Sequence, residues 1–170
     1  MNLLGRGVKA ALYLMFLAAA HGFARAELVA ATRDAEVLMP VEGVTLSQVS
    51  DTWGAARSEG RTHEGVDIFA EAGTPVYSAT SGYVEWFGPY GVGGNTVTVV
   101  GSGGVRYYYA HLSGYAEGLT NGQAVTPDTR LGYVGNTGNA ATTPPHLHFG
   151  VYTGFWDAEN PYPLLVDRQW

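Results

Sequence analysis

From Val44 onward the chain is cut into short apolar or β-branched runs by Gly, Pro, Asn and Asp. This punctuation constrains its fold more than any other feature. The runs are Val66 to Phe69, Thr74 to Ala79, Tyr83 to Phe87, Asn95 to Val100, Val105 to Leu112, Arg130 to Gly135 and Leu147 to Tyr152. Each is four to eight residues long and rich in Val, Tyr, Thr and Phe, the residues that suit a pleated, half-buried surface. Turn signals recur every 8–12 residues or so, and 24 of the 170 residues are Gly, so long helices have little room. The expectation is an all-β domain of antiparallel sheets, arranged as a sandwich or barrel, with little helix. The one weak helical hint is Ser113 to Leu119, which two Gly interrupt. Two Gly-rich loops, 88–94 and 136–145, are long enough to border a binding site on such a scaffold.

The first 26 residues read differently. Arg6 and Lys9 form a positive start, Ala10 to Ala20 is an uncharged run of 11 residues, and Ala24-Arg25-Ala26 places small residues where a signal peptidase reads. Eleven residues fall short of the roughly 20 that span a bilayer. The expected division is a signal peptide over 1–26 cleaved after Ala26, a lead-in over 27–43, the main domain over 44–153 and a tail over 154–170. Export to the periplasm or cell exterior follows, with no membrane attachment after cleavage. No Cys is present, which excludes a disulfide framework, a thiolate metal site, a cysteine nucleophile and an N-terminal lipid anchor. Residues 27–170 hold six Arg, no Lys and 15 acidic residues, a formal charge of −9. Such a chain is no nucleic-acid binder, and it will not reach an anionic wall polymer by long-range attraction. Recognition by shape or through a partner is expected, by a monomer.

Chemistry concentrates at histidine. His63, His111, His146 and His148 all lie beside expected strands. In His146-Leu147-His148 the two imidazoles share one strand face, with Cα atoms about 6.6 Å apart, while Leu147 points to the core. Either ring could hold a metal while the other reaches water or substrate; two solvent-facing side chains on an edge strand is the plainer alternative. In His63-Glu64-Gly65-Val66-Asp67 both ends are normal zinc ligands, yet a straight strand would separate them by about 13 Å. The segment must therefore bend, and Gly65 is the place for it. His63, Asp67 and His148 together would supply three N/O ligands and leave one coordination position open, the pattern of catalytic rather than structural zinc. His111 and His146 would then be free to move protons.

These residues resemble the lysostaphin/LytM-type zinc metallopeptidases, secreted endopeptidases that cut peptide bonds in bacterial peptidoglycan. The resemblance runs from about Trp53 to Val151. It includes Arg61-Thr-His63-Glu-Gly-Val-Asp67-Ile, Ala72-Gly-Thr-Pro-Val-Tyr77, Tyr109-Ala-His111-Leu-Ser113 and Val134-Gly-Asn-Thr-Gly138, and it closes on His146-Leu-His148-Phe149. It implies an antiparallel β fold with a narrow substrate groove. It also implies zinc bound by His63, Asp67 and His148, catalysis by His111 and His146, and a stem or cross-bridge peptide of peptidoglycan as partner. Trp86, Tyr90 and the 136–145 loop are candidates to line the groove. Two positions depart from the family pattern: Pro144 where Gly is usual, and Gly150 where an acidic residue is common. A non-catalytic activator of a separate wall amidase is the competing reading, but such relatives lack ligands that are all present here. An incidental His cluster on a β-sandwich binding domain is a third. No G-x-S-x-G elbow occurs, which argues against serine hydrolase chemistry.

Overall fold

The structure is a computed structural model that describes residues 22–57 and 60–170. The hydrophobic run Ala10 to Ala20 lies outside the described residues; residues 22–30 are helical. No helix among the described residues is long and apolar enough to cross a membrane.

The rest is built from strands. In chain order they are β1 (Val37–Leu38), β2 (Val66–Phe69), β3 (Pro75–Tyr77), β4 (Gly82–Pro89), β5 (Asn95–Gly101), β6 (Arg106–Leu112), β7 (Gly114–Tyr115), β8 (Ala124–Val125), β9 (Arg130–Tyr133), β10 (His146–Thr153), β11 (Asp157–Glu159) and β12 (Leu165–Val166). The main sheet has seven strands in the order β11-β10-β6-β5-β4-β8, with β2 alongside β10, and all its pairings are antiparallel. Its strand path is open rather than closed into a barrel. A second antiparallel sheet has the order β3-β9-β7, and β1 pairs in parallel with β12. Each of the seven runs marked in the sequence overlaps one strand, in order β2, β3, β4, β5, β6, β9 and β10.

Ser113 to Leu119 is not helical. Gly114 and Tyr115 form β7 and pair with Tyr133 and Gly132. Gly118 turns the chain with φ of +75°, a conformation that a helix does not contain.

Strand alternation builds the core. Val66, Ile68, Tyr109, Leu147, Phe149 and Val151 have no exposed surface and face one side of the main sheet. Burying each such side chain is worth roughly 1.5–3 kcal/mol. Met39 and Val41 from the lead-in and Leu165 from the tail join the same core cluster as Val76 and Leu131 of the second sheet. Arg168 ties the tail down by donating to three backbone carbonyls, those of Met39 at 3.0 Å, Pro127 at 2.6 Å and Ser78 at 2.7 Å.

Candidate metal centre

The intervening residues of β2 and β10 leave Asp67, His146, His148 and Tyr152 on the face opposite the core. Register then decides who meets whom. Asp67 pairs directly across from His148, and Phe69 across from His146. Directly opposed residues of an antiparallel pair have Cβ atoms about 4.5–5.5 Å apart, so the carboxylate and the second imidazole are neighbours by pairing alone. His63 arrives from before the strand. The chain bends at Gly65, and a Cβ there would lie 2.6 Å from His148 Cε1 and 2.7 Å from the Phe149 carbonyl oxygen. Gly65 thus lets the chain pass directly against the His148 ring.

His111 reaches the same face by an irregularity. The β5–β6 register shifts between Asn95 and Val97, so Ala110 and His111 together oppose Thr96. His111 has φ of +64°, in the left-handed region. Regular alternation would send His111 to the core side with Tyr107 and Tyr109; the bulge turns it to the groove. Such backbone costs of order 1 kcal/mol and persists where the surroundings over-determine it.

The result is a tight constellation. His63 Nε2 lies 3.0 Å from Asp67 Oδ1 and 2.8 Å from His148 Nδ1, and His148 Nδ1 lies 3.3 Å from the same carboxylate oxygen. His146 Nε2 is 3.8 Å from Asp67 Oδ1. The His111 ring centroid lies 5.0 Å from that of His146 and 5.9 Å from that of His148. All five residues line one groove of about 1070 Å³, together with residues 90–93 and with Asn139, Ala140, Thr143 and Pro144 of the two Gly-rich loops.

Backbone carbonyls set the tautomers. The Nδ1–H of His63 donates to the Thr52 carbonyl at 2.7 Å, that of His111 to Thr137 at 2.9 Å, and that of His146 to Pro144 at 2.9 Å. A carbonyl only accepts, so the proton sits on Nδ1 and each Nε2 lone pair faces the groove. Asp67 divides its oxygens: Oδ2 pairs with Arg57 and Oδ1 meets the imidazoles. Burial alone would raise the Asp67 carboxyl, but the His148 and His63 imidazoles beside it outweigh burial and hold the group well below the usual carboxylate range. Burial, and then the neighbouring His148 and His146 rings, push His111 down to about 4. His148 is lowered too, chiefly by burial.

The donor set fits a divalent cation. One donor atom from each of His63, Asp67 and His148 lies within 4.8 Å of the others. Tetrahedral zinc with bonds near 2.1 Å sets donors about 3.4 Å apart, so separations of 2.8 to 3.3 Å need only a small outward adjustment. His63 presents its Nε2 lone pair with Nδ1–H bound to a carbonyl, as proteins commonly present imidazole to a metal, while His148 meets the same point with Nδ1. What the sequence did not flag is Thr52 and Arg57, and the part that Thr137 and Pro144 play through their backbone carbonyls. Backbone acceptors carry no residue signature, and only the fold reveals them.

Residues 61–161, more than half of the chain, match the model described as Peptidase family M23. The chain is 42% identical over 129 residues to an L-Ala--D-Glu endopeptidase of Bacillus subtilis, covering 70% of this chain and 39% of that protein. It is 38% identical over 112 residues to lysostaphin of Staphylococcus simulans, covering 62% of this chain and 22% of that one. The chain thus spans well under half the length of these relatives. The solved catalytic domain of S. simulans lysostaphin superposes with a TM-score of 0.62 at 31% identity, over 69% of this chain and 92% of that domain.

Proposed function

Because the chain belongs to peptidase family M23, we propose that it is an exported zinc-dependent endopeptidase that hydrolyses a peptide bond in the stem or cross-bridge of peptidoglycan. One observation carries the reading. Three N/O donors converge on one point in an open groove, and two more imidazoles stand beside them with their lone pairs facing in. The name of the B. subtilis relative, an L-Ala--D-Glu endopeptidase, supports a peptide bond as the target. The charged start, apolar run and small-residue site over 1–26 support export.

In this reading His63, Asp67 and His148 hold the ion. When bound, zinc supplies a Lewis acid and brings the pKa of water toward about 7. His111 and His146 handle the proton. Both are Nδ1–H tautomers, so neither neutral ring can donate a hydrogen bond into the groove. One must first accept the proton of the attacking water at Nε2. Only then does it present an N–H to the developing oxyanion, and later to the leaving amine. His111, held down at about 4, stays in the accepting form at neutral pH. The order is therefore fixed: base first, oxyanion donor second.

The test is purified protein with defined muropeptides, with and without chelator, products identified by mass. One zinc per chain and chelator-sensitive release of peptide fragments are expected. His148→Ala and Asp67→Ala should lose both metal and activity, whereas His146→Ala should keep zinc and lose most hydrolysis. Full zinc in His148→Ala would overturn the ligand assignment. Stoichiometric zinc without fragments would replace the hydrolase with a non-catalytic activator.

A further inference from the structure

The outward face of the main sheet carries a second hollow of about 310 Å³, lined by Glu85, Trp86, Tyr90, Thr98, Tyr108 and Trp156 among others. That is the small end of the ligand-site range, roughly 300–1,000 Å³. Tyr90, Tyr108 and Trp156 also line the metal groove, so the two hollows share a wall. The rings form a series of four and a separate pair. Tyr108 lies 6.1 Å from the His148 ring and 6.2 Å from Tyr152, and Tyr152 lies 5.1 Å from Trp156. Trp86 and Tyr90 meet edge-on at 5.8 Å. Three of these large rings stay open to solvent, with exposures of 37% for Trp86, 63% for Tyr90 and 44% for Trp156.

Two backbone irregularities present the rings. A register shift between Val84 and Trp86 leaves Glu85 unpaired, and both Glu85 and Trp86 line the hollow. Trp156 has φ of +69°, an outlier for a bulky side chain, and is held by the Arg106 guanidinium 5.5 Å from its ring and by Tyr152. Gly150 leaves room beneath Tyr152, whose ring carbon a Cβ at 150 would approach to 2.8 Å. An exposed tryptophan on strained backbone adds little to a core. Strain of this kind marks binding surfaces.

We infer that this aromatic shelf is a glycan subsite that stacks an N-acetylated pyranose of the peptidoglycan strand. The inference rests on the peptidoglycan reading above. A pyranose offers a C–H face to flat rings and hydroxyl groups around its edge. The shelf offers exposed Trp and Tyr faces, the Thr98 hydroxyl, and a Glu85 carboxylate fixed by Arg106 at 2.9 and 3.1 Å. A net acidic protein gains nothing from charge at an anionic wall, so a neutral sugar face is the chemistry left to it. The stem peptide is covalently attached to the glycan. Three ring-to-ring steps from His148 to Trp156 lie within reach of a few extended residues at about 3.3–3.6 Å each.

The probe is the tetramer of β-1,4-linked N-acetylglucosamine, titrated into the protein with tryptophan fluorescence as readout. Saturable quenching is expected. Trp86→Ala and Trp156→Ala should weaken it at least tenfold, and Trp156→Tyr, which keeps a flat ring, should restore most of it. In kinetics the native protein should prefer a disaccharide-linked stem peptide over the same peptide without sugar, through KM, and Trp156→Ala should bring that ratio close to one. Equal KM for both substrates in the native protein, with no quenching, overturns the proposal. So does an equal rise in KM for both substrates in the variant, which would assign the shelf to peptide side chains. Self-association abolished by the same substitutions would assign it to a second copy and also overturn it. Saturable sugar binding without any cleavage would sink the hydrolase reading while leaving the sugar site standing.

Discussion

Gly65→Ala probes how the metal centre is built. The added methyl would sit 2.6 Å from His148 Cε1, 2.7 Å from His148 Nε2 and 2.7 Å from the Phe149 carbonyl oxygen, about 0.7 Å inside ordinary contact. The carbonyl belongs to β10, which is paired on both edges and cannot retreat far. The imidazole can rotate, and rotation takes Nδ1 away from Asp67 Oδ1 and His63 Nε2. Overpacking of this kind costs about 1–3 kcal/mol. For a chain of this size that lowers Tm by roughly 2–4 °C per kcal/mol. Displacing one ligand should also weaken zinc at least tenfold, about 1.4 kcal/mol or more. The assay pairs thermal unfolding of the metal-free protein with zinc titration. Gly82→Ala is the control: its Cβ would press on the Val100 carbonyl at 2.2 Å, so it should lower Tm and leave zinc affinity alone. Native zinc affinity in Gly65→Ala, or an equal loss in Gly82→Ala, would refute the idea that Gly65 seats His148.

Three further outcomes are expected. His111 titrates near 4 when folded and near 6.5 when unfolded, so between those values the unfolded chain binds more protons. Stability of the metal-free protein should therefore fall as pH drops from about 6.5 toward 4, by an order of 3 kcal/mol for this group, and His111→Asn should flatten that slope in urea unfolding. Zinc at 100 times its Kd should stabilise the native state by about 2.7 kcal/mol, and chelator should reverse the rise in Tm seen by calorimetry. Gly138→Ala should reduce kcat more than zinc affinity in steady-state assays. Gly138 has φ of +69°, and a Cβ there would meet the Val92 carbonyl at 2.3 Å, disturbing the loop whose Thr137 carbonyl holds His111.

What could be read from residues alone follows from what carries a pattern. The longer strands show because β-branched and aromatic runs end at turn residues, as in Val66 to Phe69. The two-residue strands β1, β7, β8 and β12 are too short to show a period, and the Gly of Ser113 to Leu119 can be read two ways. The pairing of His146 with His148 on one face is a consequence of period two and needs no fold. The groove-facing turn of His111 is not, because the bulge that rotates it depends on how β5 and β6 register. The carbonyls of Thr52, Thr137 and Pro144 were invisible for a simpler reason: every residue has one.

The pairing of β1 with β12 places Val37 beside Leu165 and Leu38 beside Val166, partners from opposite ends of the described chain. Closing a loop of that length costs roughly 4 kcal/mol when the intervening polypeptide is unstructured. The clasp is therefore expected to close last, once the main sheet has shortened the gap, and to open first under load. Val37 and Leu38 must wait for Leu165 and Val166 to be made before the molecule can lock, which keeps the nascent chain pliable until then.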